Sequence, residues 1–400
     1  MENNDYKYII IGGGLAGASA AEGIREIDAE GSILIIGDEA FLPYNRPPLT
    51  KGLWSGKKNV QDIFVKKEDF FTRQNIALRH STRAVSVSAD AKTVTDSTGT
   101  EFHFVKLLLA TGGAPNRLRI PGGDDDGILY YRYLDDFLLL NPLVKDGKSV
   151  LVIGGGFIGT EIAAALAPKG MAVTMLFPEM RPCFRVFPAP LGDSILKMYR
   201  DRGITVLAGD VPKAIERKGD RFTAYTEKGK ILESDLCIAG VGISPSVELA
   251  KIAGLAVADG IAVNSLLQTS HPDIYAAGDN AQFPEHLLGV TRRVEHWDNA
   301  LNQGKHAGRN MAGAKEPYAY LSYFFSDLFE LGYEAVGEID SRLETRQDWQ
   351  KENEKGVVYY LKDGRIRGVL LCNVWGKVDA ARTSIKNNEP VLRETLQEAV

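Results

Sequence analysis

The chain has 400 residues, 44% of them hydrophobic and 25% charged, with a net charge of −5. This describes an ordinary globular protein of two to three domains and excludes wholesale disorder. The acidic balance argues against a nucleic-acid binder. Only three cysteines occur, Cys183, Cys237 and Cys372, so there is neither a disulfide framework nor a Cys/His cluster to hold a metal.

The N-terminal residues carry no basic leader or transit pattern, and no apolar run reaches the ~20 residues of a membrane helix, so a cytoplasmic protein without a membrane span is expected. Tyr8–Ile11 then reads as a buried parallel strand, because its apolar residues are continuous. It runs into Gly12-Gly13-Gly14-Leu15-Ala16-Gly17, a helical pattern to about Asp28, and a second strand at Ile33–Ile36. Strand candidates follow near 82–88, 92–95 and 101–109.

The opening arrangement recurs at Val150–Ile153, Gly154-Gly155-Gly156-Phe157-Ile158-Gly159, an Ala-rich helix and Val173–Phe177. Two βαβ units of one type predict two doubly wound, Rossmann-like α/β domains. Further candidates lie at 204–207, 221–227 and 230–239; with those of the first half, they read as antiparallel ribbons inserted into the α/β frames. Beyond Met311, Gly356–Leu361 and Arg365–Cys372 flank Asp363-Gly364, a strong hairpin signal in a C-terminal α+β domain. Lys351–Lys355 reads as a solvated loop. The expected boundaries are 1–122 and 246–315 for the first dinucleotide domain, 123–245 for the second and 316–400 for the C-terminal domain.

Each Gly-rich turn follows a strand and opens a helix, the context that lets backbone N–H groups approach a pyrophosphate at a helix N-terminus. In the first copy the glycines are Gly12, Gly14 and Gly17, and Asp38, with Glu39 beside it, supplies a carboxylate for a ribose. In the second copy Phe177 takes the carboxylate position and Glu179 follows two residues later. Glu179 favours NADH over NADPH, whereas Arg181 and Arg185 favour a 2′-phosphate unless they lie in a solvated loop. Two dinucleotide sites on one chain suggest FAD and a nicotinamide exchanging hydride. Leu107–Gly113, Cys237–Gly242 and Thr269–Asp279 add strands that end in small-residue turns.

These features resemble the two-dinucleotide-fold flavoprotein reductases. The chain has no paired cysteines after the first βαβ unit or in the second domain, and Tyr44 stands near the position of the single cysteine in another branch. That weighs against a disulfide substrate. Cys237 and Cys372 read as packing residues, while Cys183 lies in a loop open to exposure. Pro43–Trp54 (PYNRPPLTKGLW) resembles the oxygenase-coupled ferredoxin reductases and the apoptosis-inducing factors. Gly154–Glu161, Leu176–Glu179, Arg293–His296, Phe325–Leu328, Gly332–Gly337 and Asn373–Trp375 extend the resemblance to apoptosis-inducing factors over nearly the whole chain. Phe325 stands where the animal proteins have Trp. The chain lacks their N-terminal extension and their longer insertion before the final hairpin, so a compact, bacterial-type member of the FAD-dependent pyridine nucleotide-disulfide oxidoreductase family is expected.

The resemblance implies FAD contacts from the Gly12, Gly13, Gly14, Ala16 and Gly17 turn, Asp38, Glu39, Arg46, Lys51, Ala84, Arg132, Asp279, His296 and Trp297. It implies nicotinamide-dinucleotide contacts from Gly155, Gly156, Phe157, Ile158, Glu179, Arg185, Gly242, Glu295, His296, Phe325 and Glu334. Without it, Arg132 and Glu334 read as surface ion pairs and Phe325 as core. It also implies catalytic roles for Lys51, Glu161 and His296, with Lys51 and Glu161 paired near flavin N5 and Phe157 covering the nicotinamide face. The run from Glu295 reads as a helix start, with Asp298 and Asn299 as caps, aimed at flavin N1. Electrons then pass from reduced FAD to a quinone, oxygen or a small electron carrier. A dedicated ferredoxin or rubredoxin reductase stays open, as does an NADH sensor whose charge-transfer state controls association, and a homodimer is left open with it.

Overall fold

The computed structural model describes residues 4–390, which form two compact units. One comprises the chain up to Asn45 with Val60–Ala114 and Ser244–Tyr323; the other comprises Arg46–Asn59, Pro115–Ile243 and the chain from Phe324.

The first unit is built on a seven-stranded sheet in the order Ile76–Arg79, Ile33–Ile36, Asp5–Ile11, Glu101–Leu109, Thr93–Asp96, Ala84–Ser88, with Ile274–Ala276 also paired to Glu101–Leu109. The strands Ile33–Ile36, Asp5–Ile11 and Ile274–Ala276 run parallel to their neighbours, which explains the unbroken apolar runs of the first and last and of Tyr8–Ile11 within the second. Glu101–Leu109 corrects the expectation of a purely antiparallel ribbon. Its first half alternates buried and exposed residues and pairs antiparallel with Thr93–Asp96. Its last three leucines are fully buried between two parallel strands.

Two helices of this unit, Leu15–Arg25 and Trp297–Met311, touch through glycines. A Cβ on Gly304 would lie 2.3 Å from the Ala16 carbonyl oxygen, and one on Gly308 would lie 2.0 Å from that of Ala20. Contacts that rise together along both helices make them parallel.

The second unit holds a five-stranded parallel sheet in the order Thr205–Ala208, Ala172–Phe177, Ser149–Ile153, Leu236–Ala239, Ile128–Tyr130. The 204–207 run is therefore a parallel edge strand, not part of a ribbon. The 230–239 run is two strands. Ile231–Ser234 closes a three-stranded antiparallel sheet with Pro212–Lys218 and Arg221–Thr226, while Leu236–Ala239 enters the parallel sheet. Asp235 makes the break: its carboxylate accepts from the Ser149 N–H at 2.8 Å and the Ser149 hydroxyl at 2.7 Å.

The C-terminal part is a five-stranded sheet in the order Tyr323–Leu328, Leu331–Gly337, Arg365–Cys372, Lys355–Lys362, Glu344–Lys351. Its expected Asp363-Gly364 turn has both residues at positive φ, 52° and 70°. Lys351–Lys355 is a second hairpin turn rather than a plain loop. It carries no sequence signal, because Glu344–Lys351 has no buried residue and so no apolar alternation.

Candidate functional site

In the first unit, Gly12 has φ +125°, and a Cβ there would meet the Ala110 carbonyl oxygen at 2.1 Å. Gly17 is equally confined, its Cβ falling 2.1 Å from the Gly12 carbonyl oxygen. A Cβ on Gly13 would lie 3.3 Å from the Gly37 Cα. Gly14, by contrast, faces open space, and it caps the Leu15–Arg25 helix with no side-chain hydrogen bond. The turn thus presents helix N–H groups with no side chain in front of them.

Past the second strand Asp38 is exposed, and Glu39 accepts from the Tyr44 hydroxyl at 2.5 Å. The Ser81 and Thr82 N–H groups bond to the carbonyls of Glu39 and Gly37, which brings the buried Ala84 toward this segment. Gly278, at φ +87°, sets Asp279 close to the first helix: a Gly278 Cβ would be 3.1 Å from that of Ala16. Around these two helices and this turn, Ser19 Oγ, Asn280 Oδ1 and Gln303 Nε2 are buried without a hydrogen-bond partner among the described residues. Unfilled polar atoms beside an open helix end suit a large polar ligand.

His296 begins the Trp297–Met311 helix, and the Trp297 indole N–H donates to Asn45 Oδ1 at 2.6 Å. Asp298 and Asn299 do not cap it. Both lie inside the first turn, where Asp298 accepts from the Tyr323 N–H and Asn299 bonds to the Val294 carbonyl and the Tyr318 hydroxyl. Burial, reinforced by Arg292, holds the His296 imidazole down at about 4 against the pull of Asp279, so it is neutral at pH 7. Glu295 is ion-paired with Arg293.

The second unit repeats the glycine geometry. Gly154 has φ +121°, and a Cβ would lie 2.3 Å from the Gly240 carbonyl oxygen; one on Gly159 would lie 2.0 Å from that of Gly154. Gly156 caps the Phe157–Leu166 helix without side-chain help and again faces open space. Gly155 packs on the Phe177 ring, which is why an aromatic residue stands at the usual carboxylate position. Gly242 has φ +89° and lies near the Asn116 amide. Glu179, Arg185 and Ile158 are exposed. Arg181 is not in a free loop; its Nε lies 2.5 Å from Asp193.

Phe157 meets the Phe324 ring edge-on at 5.3 Å. Glu161, on the Phe157–Leu166 helix and 6% exposed, receives three donors. Lys51 Nζ and Ser326 Oγ reach Oε1, and Thr50 Oγ1 reaches Oε2, each at 2.5 Å. The Phe325 ring lies 5.9 Å from the Lys51 ammonium. Arg46 Nη1 donates to the Arg132 carbonyl at 2.9 Å, and its guanidinium stacks 5.0 Å from the Tyr133 ring. Glu334 has one buried carboxylate oxygen without a hydrogen-bond partner among the described residues, and burial raises its pKa.

Sequence reasoning missed Thr50 and Ser326, whose only signal was membership of the strings around Lys51 and Phe325. It also misjudged Cys183, which is buried against Thr160 with its thiol pushed up to about 12. Its positive φ of 48° and its N–H bond to the Gly155 carbonyl turn the side chain inward.

The sequence pattern of the pyridine nucleotide-disulphide oxidoreductases matches residues 6–304. The chain belongs to that family. Residues 307–354 and 346–387 match the C-terminal domain of apoptosis-inducing factor. The mitochondrial apoptosis-inducing factor 1 of Dictyostelium discoideum is 35% identical, covering 95% of this chain and 78% of that one. The ferredoxin–NAD(+) reductase component of the anthranilate 1,2-dioxygenase system of Burkholderia cepacia is 34% identical over 94% and 93%. A crystal structure of a covalent putidaredoxin reductase–putidaredoxin complex matches with a TM-score of 0.92 and 31% identity, covering 98% of this chain and 95% of that one.

This member of the pyridine nucleotide-disulphide oxidoreductase family is an FAD- and pyridine-nucleotide-dependent oxidoreductase of the α/β class. FAD, when bound, supplies a hydride acceptor. The chain supplies two open glycine-capped helices, a neutral imidazole and a buried, fully engaged carboxylate. The described residues contain no helix long and apolar enough to cross a membrane.

Proposed function

We propose that this protein is an NADH-preferring reductase that passes electrons from its flavin, without a thiol relay, to a small redox carrier. In this reading 1–122 and 246–315 hold FAD, 123–245 hold NADH and 316–400 form the C-terminal domain. The Gly12–Gly17 turn, Asp38, Glu39, Ala84, Asp279, His296 and Trp297, with Arg46, Lys51 and Arg132, contact FAD. The Gly155–Ile158 turn, Glu179, Arg185, Gly242, Glu295, His296, Phe325 and Glu334 contact the nicotinamide dinucleotide. Lys51 and Glu161 stand beside the reacting rings.

The observation that carries the reading is the state of the cysteines. All three are buried, with thiols pushed up to about 12 by that burial, so none is a ready thiolate. Arg181 supports NADH, because its Nε is paired with Asp193, whose carboxylate offsets the charge that would attract a 2′-phosphate, while Glu179 stays exposed. The protein carrier is supported by the ferredoxin-reductase relative, which matches nearly end to end. The match to an apoptosis-inducing factor C-terminal domain favours a second reading, an NADH sensor with a long-lived charge-transfer state.

Anaerobic titration with NADH, followed spectrally and then exposed to ferredoxin plus cytochrome c, tests both. Rapid bleaching of the flavin and ferredoxin-dependent cytochrome reduction support the reductase. A persistent long-wavelength band with slow turnover on every acceptor supports the sensor, and an unbleached flavin refutes both.

A further inference from the structure

Glu161 is buried, and a buried carboxylate must be matched by donors. It is matched from three directions. Thr50 and Lys51 are consecutive, at the end of the Pro47–Thr50 turn, and one takes each oxygen. Ser326, itself 1% exposed, comes from the Tyr323–Leu328 strand and shares Oε1 with Lys51. The two hydroxyls bring no charge, so charge balance alone needs neither. What they bring is direction: one donor on each oxygen fixes the carboxylate plane. The ammonium of a long, flexible lysine sits 2.5 Å from Oε1 and 5.9 Å from the centre of the Phe325 ring. Two successive prolines hold the turn that delivers Thr50 and Lys51 together.

We propose that Thr50 and Ser326 are positioning residues for flavin reduction, locking the Glu161 carboxylate so that the Lys51 ammonium stays in one place. This rests on the reading that Lys51 and Glu161 stand beside the reacting rings.

The test uses the FAD-loaded protein with Thr50→Val, Ser326→Ala and the conservative pair Thr50→Ser and Ser326→Thr. The first readout needs no turnover: the rate at which acetic anhydride modifies Lys51, read by peptide mass spectrometry. It should rise several-fold in Thr50→Val and Ser326→Ala, with other lysines unchanged, and return toward the parent rate in the conservative variants. The second is stopped-flow reduction at saturating NADH, which should fall by about ten-fold while NADH affinity stays within about two-fold. If Thr50→Val loses FAD, Thr50→Ala reads the same bond with less steric change.

Variants that hold FAD and show the parent labelling and reduction rates overturn the proposal. So does a loss confined to FAD content or melting temperature, which marks a purely structural role. If the parent flavin is not reduced by NADH, the proposed function fails, while the labelling comparison still reads the lock.

Discussion

The two glycine turns share a backbone and differ in what lies beneath them. In each, the first glycine has φ above +120° and a Cβ there would strike a carbonyl oxygen of the neighbouring strand end, Ala110 in one and Gly240 in the other. In each, the third glycine faces open space and caps a helix without a side chain. Under the middle glycine the copies part. Gly13 lies over Gly37, whereas Gly155 lies on the Phe177 ring. The first strand pair ends in two adjacent acids, and the second ends in a buried aromatic residue with one acid beyond it. The glycine-turn backbone is common to both; in the proposed reading it cradles a phosphate in each copy, and the residues beyond it separate one nucleotide from another.

Matched substitutions break this comparison most forcefully. Gly12→Ala and Gly154→Ala each place a methyl group at 2.1 and 2.3 Å from a carbonyl oxygen, in a backbone region costing about 1–3 kcal/mol for a side chain. Gly12→Ala should abolish FAD retention, measured as flavin absorbance per chain. Gly154→Ala should retain FAD yet lose reduction by NADH by roughly a hundred-fold. The reverse pattern would exchange the two assignments.

Phe177→Ala removes the ring under Gly155 and should cost about 3–5 kcal/mol in a fully buried site. Thermal melting should show the loss, with NADH binding weakened more than FAD content.

A smaller effect is expected from pH. His296 titrates near its ordinary value of 6.5 when unfolded and near 4 when folded. Between these values the unfolded chain binds the extra proton, so stability falls as pH drops through this window. FAD-free protein should melt a few degrees lower at pH 5 than at pH 7. His296→Gln should flatten that part of the profile, and an unchanged profile would show that other groups cause it.

The smallest effect concerns the coenzyme. Asp193→Ala releases Arg181, an exposed pair worth about 0–1 kcal/mol, and should raise kcat/KM for NADPH by a few-fold. Glu179→Ala should move the ratio in the same direction; no change in either would remove both residues from the specificity argument.

Much of this was legible in the chain alone. Gly12, Gly14 and Gly17, their second-copy counterparts, the apolar runs that flank them and the Asp363-Gly364 turn encode structure through residues close in sequence. Their backbone demands are local, so reading them needs no knowledge of distant partners. Other features depend on tertiary structure. Glu344–Lys351 is a strand because its neighbour is, and Cys183 is inert because its backbone turns it toward Thr160. Glu161 takes hydroxyls from Thr50 and Ser326, 111 and 165 residues away along the chain. A hydroxyl carries no sequence signal of the acceptor it will meet, because hydrogen-bond direction exists only once three separate segments have been packed around one buried carboxylate.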